Sequence, residues 1–248
     1  MRTIGLIGGM SWESTVPYYR IINEAVKERL GGLHSAKLVL YSVDFHEIEH
    51  LQHSGDWIAA GRLLAQAARS LRAAGADFLV LCTNTMHKVA DAIEGAVDIP
   101  LYHIADATAE EIKRNGLASV GLLGTRFTME QEFYKGRLRE GHGIDVVIPD
   151  EIDREIVHRV IYDELCLGKI IDASRTEYRR IIQRLAERGA QGVILGCTEI
   201  SMLVGAKDSP VPVFDTTSIH ARGAAHWALD EGAIAPNPAR RRAGESRT

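Results

Sequence analysis

Thr3-Ile4-Gly5-Leu6-Ile7-Gly8-Gly9, near the start of the chain, returns 116 residues later as Ser119-Val120-Gly121-Leu122-Leu123-Gly124-Thr125. A second pair follows in the same order, because residues 75–83 resemble residues 189–197 at an offset of 114. A third pair joins residues 99–102 to residues 211–214 at an offset of 112. Three matches in one order and at nearly constant offset indicate an internal duplication. The sequence therefore predicts two similar halves, divided near residue 100.

Between these runs the chain alternates β-rich and helical segments. Residues 2–8, 37–43 and 78–82 are short apolar or β-rich runs, whereas residues 14–30 carry apolar side chains at helical spacing and stop at Gly31-Gly32. Asp56 is placed to cap another helix, which Gly75 ends. Strands that alternate with helices predict βαβ units and a parallel sheet, in which ligands bind beyond the carboxyl ends of the strands.

The predicted fold class is α/β, with two similar parallel-sheet domains related by pseudo-twofold symmetry and an active site in the cleft between them. We expect residues 1–99 with residues 213–235 to form the first domain, and residues 100–212 to form the second. A last helix over residues 216–229 is expected to cross back to the first half. The tail, residues 236–248, contains Arg240-Arg241-Arg242 and is predicted to be a mobile end.

Composition and charge are those of an ordinary globular chain. The 248 residues carry 29 Lys and Arg against 33 Asp and Glu, a net charge of −4, which gives no reason to expect a nucleic-acid or membrane partner. No apolar run approaches the roughly 18 residues of a membrane span. The first ten residues lack the cationic start and long apolar stretch of a signal peptide. Three cysteines, an odd number, indicate reduced thiols and a cytoplasmic location.

The duplication makes Thr83 the counterpart of Cys197. Cys82 lies one residue earlier, and successive side chains of a strand point to opposite faces, so Cys82 is expected to point away from Thr83. Two similar halves that face each other place Thr83 and Cys197 on opposite walls of one cleft. Such a pair suits removal of a proton from one face of a carbon and its return to the other face, which is racemisation or epimerisation.

Neighbouring residues can complete a site. A cysteine is a suitable base because its thiol pKa is only about 8.5 and falls further at a helix N-terminus. Cys197 stands just before an expected helix start. Asn84, Thr85 and Thr198 offer amide and hydroxyl donors for a substrate carboxylate. Either Glu199 or His103 can accept from the amino group, and no spacing selects between them.

The sequence gives little support for a cofactor. The glycine-rich first loop lacks the G-x-G-x-x-G spacing, and no Walker A lysine follows it, so dinucleotide and nucleotide binding are unsupported. His46, His50 and His53 have a spacing that invites a metal, but no cysteine or carboxylate of fixed spacing accompanies them. We therefore expect neither a cofactor nor a metal.

Four motifs carry a resemblance to a known family. They are Gly8-Gly9-Met10-Ser11-Trp12-Glu13-Ser14-Thr15, Thr83-Asn84-Thr85-Met86-His87, Leu123-Gly124-Thr125 and Gly196-Cys197-Thr198-Glu199. With these motifs, over residues 1–230, the chain resembles the aspartate/glutamate racemase family, and most closely its L-aspartate/glutamate-specific branch. The resemblance implies a two-domain α/β fold without pyridoxal phosphate or metal, a pair of cysteine acid/bases flanking the substrate α-carbon, and a homodimer. It also implies that Met10, Thr125 and the Asn84-Thr85 pair bind substrate.

The chain departs from the family pattern at the first cysteine. Where the family has a cysteine directly before the Asn-Thr pair, this chain has Thr83, the residue that the duplication pairs with Cys197. A hydroxyl is a far weaker acid than a thiol. We therefore predict that Cys197 abstracts the α-proton from one enantiomer while Thr83 relays a proton on the other face. The rival hypothesis is that Cys82 reaches the site through a kink.

A second departure concerns the substrate side chain. The family binds the distal carboxylate with an arginine and a lysine, and the best alignment places Gln52 at the first position and Cys166 at the second, with Lys169 nearby. Loss of these cations admits a neutral polar amino acid, because a bidentate arginine is not easily replaced. We expect an acidic or small polar amino acid as substrate.

The sequence thus predicts a cofactor-independent amino-acid racemase that exchanges the Cα proton with Cys197 and Thr83 on opposite faces. One alternative is a maleate-isomerase-like enzyme in which Cys197 is a nucleophile. Another is a catalytically weak amino-acid-binding protein that kept the pocket. The expected partners are a small molecule, either an amino acid or a dicarboxylate, and a second copy of the chain in a homodimer.

Overall fold

The computed structural model describes residues 1–230. These residues form two four-stranded parallel sheets with flanking helices, so the predicted α/β class is confirmed. They divide into two compact units. The first comprises Met1–Cys82, Val89–Tyr102 and the described residues from Ala221 onwards, and the second comprises Thr83–Lys88 and His103–His220.

The first unit is built on one sheet and the helices that cover it. Its strands are β1 (Ile4–Gly8), β2 (Leu38–Ser42), β3 (Phe78–Leu81) and β4 (Leu101–Tyr102), in the spatial order β2-β1-β3-β4. Its helices are α1 (Trp12–Leu30), α2 (Phe45–Ser54), α3 (Trp57–Ala73) and α4 (Ala90–Glu94). The central strands β1 and β3 are buried along their whole length, whereas the edge strand β2 is partly exposed. Apolar residues run through β1 and β3 because a parallel strand is covered on both faces.

The second unit repeats this plan. Its strands are β5 (Ser119–Gly124), β6 (Asp145–Val147), β7 (Val193–Gly196) and β8 (Val213–Asp215), in the order β6-β5-β7-β8. Its helices are α5 (Ile104–Arg114), α6 (Arg126–Glu130), α7 (Glu132–Gly136), α8 (Glu151–Asp163), α9 (Asp172–Glu187) and α10 (Ile200–Leu203). Shorter turns are the 3-10 segments Thr85–Val89, Leu165–Leu167 and Ala206–Asp208 and the π segment Arg137–Gly141. Helix α11 (Thr216–Leu229) begins in this unit and ends in the first.

Local sequence sets the helix ends as predicted. The Asp56 side chain accepts a hydrogen bond from the Ala59 N–H at 2.9 Å and caps α3. Helix α1 ends at Gly31, whose φ of 75° is a conformation that glycine adopts at little cost. Helix α11 covers the residues expected of the last helix.

The duplication is visible in the strand register. In the first sheet Ile7 pairs with Leu81, and in the second sheet Leu123 pairs with Leu195. Ile7 and Leu123 are matched positions of the repeated sequence. Thr83 and Cys197 therefore each lie two residues beyond equivalent positions of equivalent strands.

The unit boundaries differ from those expected. Residues 213–215 form β8 and pair with β7, so they belong to the second unit rather than the first. Thr83–Lys88 also joins the second unit, because its buried side chains make hydrogen bonds there. The first unit runs to Tyr102 instead of residue 99. Residues 231–235, expected in the first domain, and the tail 236–248 lie outside the described residues.

Candidate active site

Cys82 is enclosed in the core of the first unit. Its side chain is wholly buried among Phe78, Val80 and Tyr18, with Sγ 3.9 Å from the Val80 carbonyl oxygen. Phe78, Val80 and Cys82 share one face of the strand, as the two-residue alternation requires. Burial raises the pKa of the Cys82 thiol well above its usual value. This placement does not support the hypothesis that Cys82 reaches the site through a kink.

Cys197 has a different environment. It follows β7 directly, is half-buried, and its Sγ donates to Glu199 Oε2 at 2.9 Å. Burial, the Glu199 charge and the nearby Cys166 raise the pKa of the Cys197 thiol well above its usual value. The lowered pKa expected at a helix start is not found, because α10 has only four residues and a buried carboxylate faces the thiol. These surroundings favour the protonated thiol over the thiolate.

Thr83 is held by its backbone. Its carbonyl oxygen accepts a hydrogen bond from His87 Nδ1 at 2.7 Å, and the Ile104 N–H donates to His87 Nε2 at 3.3 Å. The Thr83 side chain is buried, and its hydroxyl makes no hydrogen bond to another residue within 1–230. The hydroxyl is therefore available to a ligand.

Asn84 connects the segment Thr83–Lys88 to strand β7 through Thr216. Its Nδ2 donates to Thr216 Oγ1 at 3.1 Å, and Thr216 Oγ1 donates in turn to the Leu195 carbonyl at 2.8 Å. Asn84 Oδ1 is buried and has no hydrogen-bond partner within the described chain. A buried acceptor without a donor is costly, so it favours a ligand that brings an N–H group.

Three threonine hydroxyls form a buried cluster. Thr85 Oγ1 lies 2.9 Å from Thr125 Oγ1 and 3.3 Å from Thr128 Oγ1, and the last two are 3.2 Å apart. Thr125 also caps α6 through the Thr128 N–H. Each hydroxyl can rotate to donate, so the cluster can bind an anionic oxygen.

The remaining candidates are spread over the chain. Met10 and Gln52 are buried in the first unit, Met10 after β1 and Gln52 in α2. Thr198 is half-buried beside Cys197, and its carbonyl accepts from Ser201 Oγ. Lys169 is exposed, unlike the others.

Cys166 lies in the 3-10 segment Leu165–Leu167 and is half-buried against the same core cluster as Cys197. It is a neutral side chain at the position where the family resemblance implies a cation.

The sequence alone did not identify Thr128, Thr216 or the two hydrogen-bond partners of His87. Thr128 follows Thr125 at the three-residue spacing of a helix cap, which was a usable signal. Thr216 follows β8 directly, where ligand-binding residues of parallel sheets lie. By contrast, no local sequence pattern predicts the hydrogen bond between His87 and Ile104, which lie 17 residues apart.

Metal and membrane signals are absent from residues 1–230. Their His, Cys, Asp and Glu side chains nowhere gather in threes around a point where a metal ion can bind. Across the same residues each helix is too short or too polar to cross a bilayer.

Comparisons with known proteins identify the family of this chain. Residues 7–224 match the family described as Asp/Glu/Hydantoin racemase. A crystal structure from Yersinia pestis, provisionally described as an Asp/Glu racemase, is 64% identical, with a TM-score of 0.88 over 93% of this chain and 100% of its own. An aspartate racemase homologue from Pyrococcus horikoshii OT3 is 36% identical, with a TM-score of 0.81 over the same shares. The broad specificity amino-acid racemase RacX of Bacillus subtilis (strain 168) is 22% identical over 88% of this chain and 95% of RacX.

Proposed function

The chain belongs to the Asp/Glu/Hydantoin racemase family, and from this premise we propose that it inverts an amino acid by moving the Cα proton between Cys197 and Thr83. Its family and relatives make it an amino-acid racemase, which is an isomerase. One observation carries the assignment of the two residues. Thr83 lies two residues beyond Leu81 in β3, and Cys197 lies two residues beyond the equivalent Leu195 in β7.

The proposed reaction begins at Cys197. Glu199 accepts the thiol proton, and the resulting thiolate removes the α-proton of one enantiomer. The Thr85 and Thr125 hydroxyls donate to the substrate carboxylate, whose negative charge grows as the Cα–H bond breaks. On the opposite face the Thr83 hydroxyl gives its proton to Cα and takes one from solvent. The protonated Glu199 releases the thiol proton to solvent, and Cys197 keeps the α-proton, so all three residues regain their starting states. No cofactor takes part in this scheme.

Asn84 is assigned to the substrate ammonium group. Its Nδ2 is already committed to Thr216, so the remaining functional atom is the unpartnered acceptor Oδ1. An ammonium group brings the donors that this oxygen lacks. The assignment changes the role expected of Asn84, which was to donate to the carboxylate.

We propose an acidic or small polar amino acid as substrate. Gln52 and Cys166 are both neutral, which relaxes the requirement for a distal carboxylate. The 36% identity with an aspartate racemase homologue supports an acidic substrate, and the likeness to a broad specificity racemase supports wider tolerance.

We further propose that the enzyme is a cytoplasmic homodimer. Trp12, Val16 and Tyr19 follow one face of α1 and are 65%, 56% and 54% exposed, which is unusual for large apolar side chains in register. The family resemblance implies a homodimer, and we propose that the second copy of the chain covers this face of α1. Sedimentation at micromolar concentration tests this, and a monomer there would contradict it.

The test is incubation of the protein with a panel of L- and D-amino acids in D₂O. Loss of the Cα–H NMR signal measures exchange, and chiral chromatography measures inversion. Cys197→Ser should lower exchange by about 10²–10⁴-fold, because it removes the base. Thr83→Val removes the hydroxyl at nearly constant volume and should abolish inversion while leaving exchange of the enantiomer that Cys197 faces. Thr83→Ser keeps the hydroxyl and is the matched control.

Cys82→Ala tests whether Thr83 or Cys82 is the second acid. It should keep both exchange and inversion, since Cys82 lies in the core. Loss of inversion only in Cys82→Ala would overturn the role of Thr83. A covalent adduct on Cys197 without deuterium at Cα would favour the maleate-isomerase-like alternative.

A further inference from the structure

His87 is a buried imidazole with both ring nitrogens engaged. It is 3% exposed and lies in the 3-10 segment Thr85–Val89, with Nδ1 bonded to the Thr83 carbonyl and Nε2 to the Ile104 N–H. A carbonyl only accepts and a peptide N–H only donates, so Nδ1 carries the proton and Nε2 is bare. The contacts therefore select a single neutral tautomer.

The surroundings of His87 keep its imidazole neutral. The His103 ring stacks edge-on at a centroid distance of 4.4 Å, and the His220 ring lies at 6.0 Å. Burial, with these two rings and the Arg137 charge, lowers the pKa of His87 well below its usual value. The imidazole is a fixed bridge from the Thr83 carbonyl to the first turn of α5.

We propose that His87 is a positioning residue for Thr83, orienting the peptide from which the Thr83 hydroxyl projects. The hydroxyl has no side-chain partner among residues 1–230, so its direction depends on the backbone that carries it. A displacement of about 1 Å at a reacting group can cost about 10²-fold in rate. His87 does not touch the reacting carbon in this scheme, and the inference rests on the proposed function of Thr83.

Two substitutions separate the two contacts of the ring. His87→Asn places an amide N–H near the position of Nδ1, so it retains the bond to the Thr83 carbonyl and loses the bond to Ile104. His87→Gln places its amide near Nε2, so it retains acceptance from Ile104 and loses donation to Thr83. The two variants thus differ in which end of the bridge is broken.

The readout is a ratio measured in D₂O on the enantiomer that Cys197 deprotonates. Deuterium enters either with retention, returned by Cys197, or with inversion, which requires Thr83. His87→Gln should lower the ratio of inversion to retention by about tenfold or more, whereas His87→Asn should keep it within about twofold. Partial unfolding lowers both events equally, so the ratio reports on the folded enzyme alone.

His103→Asn is the matched control. His103 belongs to the same buried cluster and caps α5 by accepting from the Ala105 N–H, a role that asparagine can fill. Its ratio should equal that of the wild type. An unchanged ratio in His87→Gln, with normal inversion by the wild type, overturns the role of His87 alone. Absence of any exchange in the wild type overturns the proposed function itself.

Discussion

Glu199 adds to the effect of burial on the Cys197 thiol. The residue is 5% exposed, and its carboxylate accepts the thiol hydrogen bond at 2.9 Å. The negative charge opposes formation of a second negative charge on sulfur, which contributes to the raised pKa of Cys197. The same carboxylate is the nearest acceptor for the thiol proton. In the proposed scheme Glu199 therefore has two effects: its charge disfavours the thiolate before the reaction, and its carboxylate accepts the thiol proton during the reaction.

Replacement of Glu199 by glutamine should speed alkylation of the Cys197 thiol and slow racemisation. Removal of the charge lowers the pKa of Cys197, so iodoacetamide should label Cys197 several-fold faster at neutral pH. Racemisation should fall by about 10²–10⁴-fold, because the proton acceptor is lost. Mass spectrometry identifies the labelled cysteine, and the buried Cys82 serves as an internal control that stays unlabelled. Slower labelling of Cys197 in the variant would contradict this account of its pKa.

Strands β5 and β7 leave little room for a side chain at their carboxyl ends. A Cβ atom on Gly196 would lie 2.9 Å from the Leu123 carbonyl oxygen, and one on Gly124 would lie 3.0 Å from the Gly196 carbonyl oxygen. Glycine at both positions lets the ends of the two strands lie together. Thr125 and Cys197 follow directly, so this approach sets their separation.

Gly196→Ala should therefore damage both stability and activity. The new methyl group must displace the backbone of β5, at a cost of about 1–3 kcal/mol in the free energy of unfolding. Gly141→Ala is the matched control, since a Cβ there meets nothing within 4 Å, and it should be neutral or stabilising by up to about 1 kcal/mol. Urea denaturation measures both. A Gly196→Ala protein as stable as the wild type would show that the strands can separate freely.

The stability of the whole protein should depend on histidine burial. His87, His103 and His220 are each at most 4% exposed. Burial lowers the pKa of His87 and of His103 well below the usual value, with the neighbouring charges adding to the effect. Such groups stay neutral when folded but take up protons when unfolded. The free energy of unfolding should thus be greatest above pH 6.5 and fall as the pH decreases below it.

His103→Asn tests this dependence. Each buried neutral histidine contributes a slope of up to about 1.4 kcal/mol per pH unit below pH 6, so the variant should lose stability less steeply by about that amount. Chemical denaturation between pH 7 and 5 measures the slope. His34→Gln, at an exposed position, is the control and should keep the wild-type slope. Equal slopes in all three proteins would rule out histidine burial as the cause.

Local and periodic patterns determined much of this protein from sequence alone. Alternating apolar runs and helical spacing predicted the two parallel sheets, the Asp56 cap and the extent of α11, because these depend on neighbours within a few residues. The duplication paired Thr83 with Cys197, because a repeated fold repeats its strand register.

Only the tertiary structure decided the surroundings of those residues. The sign of the Cys197 pKa shift depends on burial and on where the Glu199 carboxylate points. Asn84 meets Thr216 across 132 residues of chain, and this contact helps place Thr83–Lys88 in the second unit. No local pattern encodes a contact between side chains so far apart in sequence, because chain folding alone brings them within hydrogen-bond distance.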